Sequence, residues 1–172
     1  DDLAVEQSTY DTLRGLLLKQ TDGVKGRTDI RIPNLAEYLG ICRHYEKTAV
    51  LELKNPMAEA DIGEICRIAE ESGWLAHIIF ISFDFQNLVF LRRFHPEQPV
   101  QFLTTSCDAA LIEKLKAHGM DLDLHFGAAT KEVVAACHAA GITVNVWTVD
   151  TVEDAARMAD CGVDYITSNI LE

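Results

Sequence analysis

What this sequence has little of narrows the roles open to it. No apolar run approaches the roughly 20 residues that a membrane-spanning helix needs; the stretch from Ile78 to Ile81 is typical of the longest. Positive charge is scarce, with 15 Lys and Arg against 27 Asp and Glu and a net charge of −12. Nucleic acid and anionic membrane surfaces select basic footprints, so neither is an expected partner, and a small anionic substrate needs a locally basic site. Cysteines are few and unpaired in pattern: five, at positions 42, 66, 107, 137 and 161, with gaps of 24 residues or more. That spacing fits neither a zinc site nor a secreted disulfide framework. Four of the five fall in segments that read as helices, which leads us to expect buried, reduced thiols and a cytoplasmic setting. A basic-then-apolar signal sequence is missing, although the chain opens at Asp1 rather than Met, which leaves upstream processing or truncation open. A phosphate-binding glycine fingerprint, a Ser–His–Asp arrangement and a histidine pair at metal-ligand spacing are all lacking as well.

What is present is ordinary globular composition, 48% apolar and 24% charged over 172 residues, enough to bury a core. A single repeating unit runs along it: a short β-branched or aromatic run, a turn, then an amphipathic helix ending at glycine. Strands are expected over 48–54, 78–83, 100–104, 122–125, 143–149 and 165–167. Helices are expected over 58–72, 108–118, 130–140 and from Val152 to the Cys161-Gly162 stop. Thr151 with Asp154, and Asn34 with Glu37, have the spacing of helix-capping pairs. Residues 1–32 differ, with a helix-like stretch over 10–19 and a polar segment containing Asp22-Gly23 and Lys25-Gly26. Nothing resembling a linker divides the chain, so residues 1–172 read as one domain. Strands alternating with helices argue for a parallel α/β fold, either doubly wound or a (β/α)8 barrel.

In both architectures active sites gather at the C-terminal ends of the strands. Glu52 and Lys54 lie two apart on one strand and so share a face. A carboxylate beside an ammonium suits a divalent cation next to a phosphate, or else a buried ion pair. Phe83 ends the next strand as core or as a pocket wall, and Asp84 reads as a helix N-cap. Asn145 and Trp147 share a face, and Trp147 either packs the core or offers a flat surface to a ligand. Thr167, Ser168 and Asn169 end the last strand as a polar patch or a plain loop. Among the six histidines, His125 alone ends a strand.

Together these segments resemble the glycerophosphodiester phosphodiesterase family of (β/α)8 barrels, from about Ile32 to Leu171. The carriers are Arg31 to Leu39 before a strand, Leu51-Glu52-Leu53-Lys54, Ile81-Ser82-Phe83, Val146-Trp147-Thr148-Val149 and Gly162-Val163-Asp164-Tyr165-Ile166-Thr167, in the family's order. The resemblance implies metal-dependent hydrolysis of glycerophosphodiesters to glycerol 3-phosphate and an alcohol, with Mg²⁺ or Ca²⁺ as the divalent cation. It further implies Glu52 as a metal ligand, Lys54 as a phosphate contact, and Phe83 and Trp147 as the glycerol side of the pocket.

The family's His-Arg-Gly, Glu-x-Asp and His-Asp motifs, on its first three strands, have no equivalents here. Glu59-Ala60-Asp61 matches Glu-x-Asp but opens a helix, where acids favour the dipole. The sequence therefore reads as the C-terminal two-thirds of such a barrel, short of about three strand–helix units and of the acid/base histidines. Taken alone it is expected to be nearly inactive, to expose an aggregation-prone sheet edge, and to belong to a longer enzyme or complete its barrel with another chain. On that view five barrel places remain for six candidate strands, and 122–125 becomes a short extension. Two other roles compete: a non-catalytic binding or interaction module, and an aldolase-like barrel forming a Schiff base at Lys54.

Overall fold

The computed structural model describes residues 3–19 and 27–170; the Asp22-Gly23 and Lys25-Gly26 turn signals lie outside these residues. Six short strands form one sheet: β1 Ala49–Glu52, β2 Ile78–Ser82, β3 Val100–Thr104, β4 Asp121–His125, β5 Val144–Trp147 and β6 Tyr165–Ile166. Every pairing is parallel, and the spatial order is the sequence order, β1 through β6. A doubly wound sheet reverses its strand order part-way, whereas a barrel adds each strand beside the last. The described residues thus form six strands of a partial (β/α)8 barrel.

The helices are α1 Tyr10–Arg14, α2 Leu35–His44, α3 Glu59–Glu71, α4 Phe85–Phe94, α5 Ala109–His118, α6 Lys131–Ala139 and α7 Val152–Cys161. Their starts are chemically marked. Asn34 and Glu37 form a reciprocal capping box at α2, and Asp84, Asp108, Thr130 and Thr151 each accept a bond from a first-turn amide of α4 to α7. Such caps satisfy amides that the helix itself leaves without partners. Gly119 and Gly162 end α5 and α7 in the left-handed region, at φ of 59° and 83°, where a side chain would be strained. The first helix is shorter than its sequence suggests and closes at Gly15.

Alternation along each strand sorts its residues between two faces. Ile78, Phe80, Leu122, Leu124, Val144 and Val146 are buried against the helices with Leu39, Ile62, Leu88, Leu91, Leu115, Val134 and Met158. Full burial of each such side chain stabilises the fold by about 1.5–3 kcal/mol. The opposite face carries Glu52, Ile81, Gln101 and Asp121 in one register row, and Leu103, Asp123, Asn145 and Tyr165 in another. It is the inner face of the partial barrel.

One expectation is overturned. The segment 122–125 is not an extension: β4 pairs with β3 on one side and β5 on the other, and Leu122 and Leu124 are fully buried. The expectation came from counting five barrel places for six candidate strands, and the sheet seats all six. With six strands seated in the sheet, an eight-strand barrel has two further places.

Candidate active site

Glu52 and Lys54 leave the C-terminal end of β1 on the inner face. The Lys54 ammonium bonds Glu52 Oε2 at 2.8 Å, while Glu52 Oε1 is buried with no hydrogen-bond partner. Lys54 is 74% exposed and Glu52 26% exposed, so this is neither the buried ion pair nor the buried lysine that two of the sequence alternatives required. An exposed lysine lacks the desolvation that activates a Schiff-base nucleophile.

The segment holding these two side chains is pinned from below. Ser82 Oγ donates to Leu53 O at 2.7 Å and accepts from the Asp84 amide. The Asn87 amide group donates to Asn55 O at 2.8 Å and to Ser82 Oγ at 3.2 Å, and its oxygen accepts from the Met57 amide at 3.0 Å. Asn87 is 1% exposed. Sequence inspection missed it, although an asparagine among the apolar residues of α4 is the signal that a buried polar group has work to do.

Across the inner face stands an aromatic pair. Phe83 and Trp147 meet edge to face with centroids 5.5 Å apart, and the Trp147 indole N–H donates to Asp123 O at 3.2 Å. Phe83 is 46% exposed and is therefore a wall, not core. His125 packs edge-on to Trp147 at 5.2 Å and accepts from the Gly127 amide. The other five histidines bond or stack elsewhere: His44 with Tyr45, His77 with Trp74, His95 with Glu70, His118 with Phe85, and His138 with Asp164. Ser168 and Asn169 bond Asp150, and Asn145 joins Gln101 to Thr167 beneath the aromatic pair.

These groups enclose a cavity of about 400 Å³ lined by Val50, Glu52, Lys54, Ile81, Phe83 and Trp147, with Leu103, Asp123, Thr148 and Thr167 completing it. Asp123 was not singled out from the sequence. It is 1% exposed, its Oδ1 has no hydrogen-bond partner, and burial, with a lesser push from the Glu52 charge, raises its carboxyl to about 7. The legible clue was strand alternation, which puts Asp121, Asp123 and His125 on one face and two leucines on the other.

Glu52, Lys54, Phe83 and Trp147, the four residues named from sequence, thus converge on one cavity at the C-terminal edge of the sheet. Residues 1–171 match the glycerophosphoryl diester phosphodiesterase family. The chain belongs to that family. A candidate glycerophosphoryl diester phosphodiesterase from Silicibacter pomeroyi is 27% identical, with a TM-score of 0.75 over 85% of this chain and 55% of its own. A glycerophosphodiester phosphodiesterase from Parabacteroides distasonis is 26% identical, with a TM-score of 0.76 over 96% of this chain and 68% of its own. An Oleispira antarctica phosphodiesterase, solved with the product sn-glycerol-3-phosphate, is 23% identical with a TM-score of 0.65 over 80% and 57%; at that identity the likeness speaks to fold alone. No curated protein sequence matches the chain. The chain therefore spans little more than half to two-thirds of the family structures it resembles.

Family members are typically metal-dependent. Among the described residues no group of three or more His, Cys, Asp or Glu side chains could hold an ion, yet the orphaned Glu52 oxygen is a hard donor of the kind Mg²⁺ and Ca²⁺ take. Without a cation the cavity offers two carboxyl groups against one ammonium, a poor host for a phosphodiester. The unpartnered Glu52 oxygen fits one ligand place of such an ion. Among the described residues no helix is long and apolar enough to cross a membrane.

Proposed function

We propose that the cavity is the phosphate and glycerol site of a metal-dependent glycerophosphodiester phosphodiesterase. The observation that carries this is the Glu52–Lys54 pair facing the Phe83–Trp147 wall within one cavity of a family member. In this assignment Glu52 holds a divalent cation, Mg²⁺ or Ca²⁺, which when bound offsets charge on the phosphoryl oxygens. Lys54, bonded to Glu52 and otherwise exposed, donates a remaining ammonium N–H to a phosphate oxygen. Phe83 and Trp147 shield the glycerol carbons from water and fix their orientation. The Ser82–Asn87 network keeps the Leu53–Met57 backbone, and so both charged groups, in register with the aromatic wall.

Hydrolysis also needs a proton donor and acceptor. His125 is the one histidine at the C-terminal end of the inner face among the described residues, and its Nδ1 is occupied by the Gly127 amide. On this ground the 172-residue chain alone is proposed to bind without appreciable turnover, which is also what a binding module does. The five unpaired thiols support a reducing, cytoplasmic setting.

Calorimetry with sn-glycerol-3-phosphate and glycerophosphocholine tests the assignment. Binding is expected with Mg²⁺ or Ca²⁺ present and lost in chelator, and Lys54→Ala is expected to weaken it about tenfold or more, the value of one charge-assisted hydrogen bond. An affinity indifferent to both the chelator and Lys54 rejects the site. Rapid hydrolysis of glycerophosphocholine by the chain rejects its proposed inactivity.

A further inference from the structure

β4 places three polar side chains on the inner face, and two of them are satisfied. Asp121 Oδ1 accepts from the Thr143 amide at 2.8 Å, and His125 accepts from the Gly127 amide at 3.2 Å. Asp123, between them, is the most buried of the three at 1% exposed, yet its Oδ1 meets no donor. A buried carboxyl oxygen left without a donor is costly and rare in a native interior. It lines the same cavity as Glu52, whose Oε1 is also buried and unpartnered. Among the described residues the one cation bonded to Glu52 is the Lys54 ammonium, and it meets Oε2.

Two orphaned carboxylate oxygens, one from β1 at the edge of the sheet and one from β4 in its interior, belong to residues that line one cavity. We propose that Asp123 joins Glu52 in holding a single hard divalent cation of the Mg²⁺ or Ca²⁺ class. This rests on the assignment of Glu52 as a cation ligand and adds a second ligand outside the Glu-x-Lys strand. Oxygen ligands of such ions come from several elements at once, and a ligand on β4 ties the ion to the centre of the sheet as well as to its edge. The indole of Trp147, bonded to the Asp123 carbonyl, stands beside this ion position.

That neighbour supplies the test. Terbium(III) is a hard, oxygen-seeking ion whose emission is sensitised by a nearby indole, so titrating the 172-residue chain with terbium reports occupancy without any turnover. Emission is expected to rise on titration, to be competed away by Ca²⁺, and to vanish in Trp147→Phe while Trp74 remains. Asp123→Asn and Glu52→Gln, near-isosteric changes checked for folding by circular dichroism, are each expected to weaken terbium binding about tenfold or more. Asp61→Asn, on the exposed first turn of α3, is expected to leave it unchanged. If Glu52→Gln weakens binding and Asp123→Asn does not, the Asp123 inference falls and the Glu52 assignment stands. If neither variant alters binding, or the parent chain shows no sensitised emission, both fall.

Discussion

Asp123 couples the stability of the chain to pH. Its carboxyl is raised to about 7 from the ordinary 3.8, first by burial and then by the Glu52 charge. In the unfolded chain the acid gives up its proton near pH 4, in the folded chain only near pH 7. Between those values the native state holds a proton that the unfolded state lacks, so stability falls as pH rises through this window and levels off above it. The span corresponds to on the order of 2–4 kcal/mol. In the presence of chelator, Asp123→Asn is expected to be more stable than the parent at pH 8 and close to it at pH 4.5, as read by urea unfolding. Equal pH slopes for the two chains would mean that the carboxyl is solvated.

Secondary elements set that residue and its neighbours in place, and the sequence disclosed them unevenly. Caps were legible because their chemistry is local: Asn34 with Glu37, Thr151 with Asp154, and Asp84 each act within one helical turn. Glu52, Lys54, Phe83 and Trp147 were legible because strand ends collect functional groups. Asp123 and Asn87 were not, because their significance lies in relations across 30 residues or more: Asn87 reaches Met57, and Asp123 shares a cavity with Glu52 of β1. The standing of β4 was hidden as well, because the number of barrel places the chain fills is a property of the assembled sheet and not of any one segment. Asn87 also gives the element scale its test. Asn87→Ala removes the donor to Asn55 O and leaves the Met57 amide without its acceptor, so a loss of about 1–3 kcal/mol is expected in chemical unfolding. Weaker sn-glycerol-3-phosphate binding is expected alongside, because the Glu52–Lys54 segment loses its anchor. Unaltered stability would show that the network is dispensable.

At the scale of the whole molecule, the sheet has two outer strands. β1 and β6 each pair on one side only among the described residues, and they carry exposed apolar side chains at Val50, Tyr165 and Ile166. Backbone groups along such an edge recruit other strands, while a net charge of −12 keeps copies apart until salt screens it. Sedimentation velocity is expected to show association that grows with protein concentration and with ionic strength. A monomer indifferent to both would mean that the edges are protected.

The order of the strands has a consequence in time as well as in space. Each pairing among the described residues joins strands that are consecutive in sequence, so none of these pairings spans the length of the chain. Loop closure is then a succession of short, similar steps, which favours quick folding for a parallel sheet. On the ribosome, where the N-terminal part emerges first, every strand after β1 arrives beside a partner that has already been made.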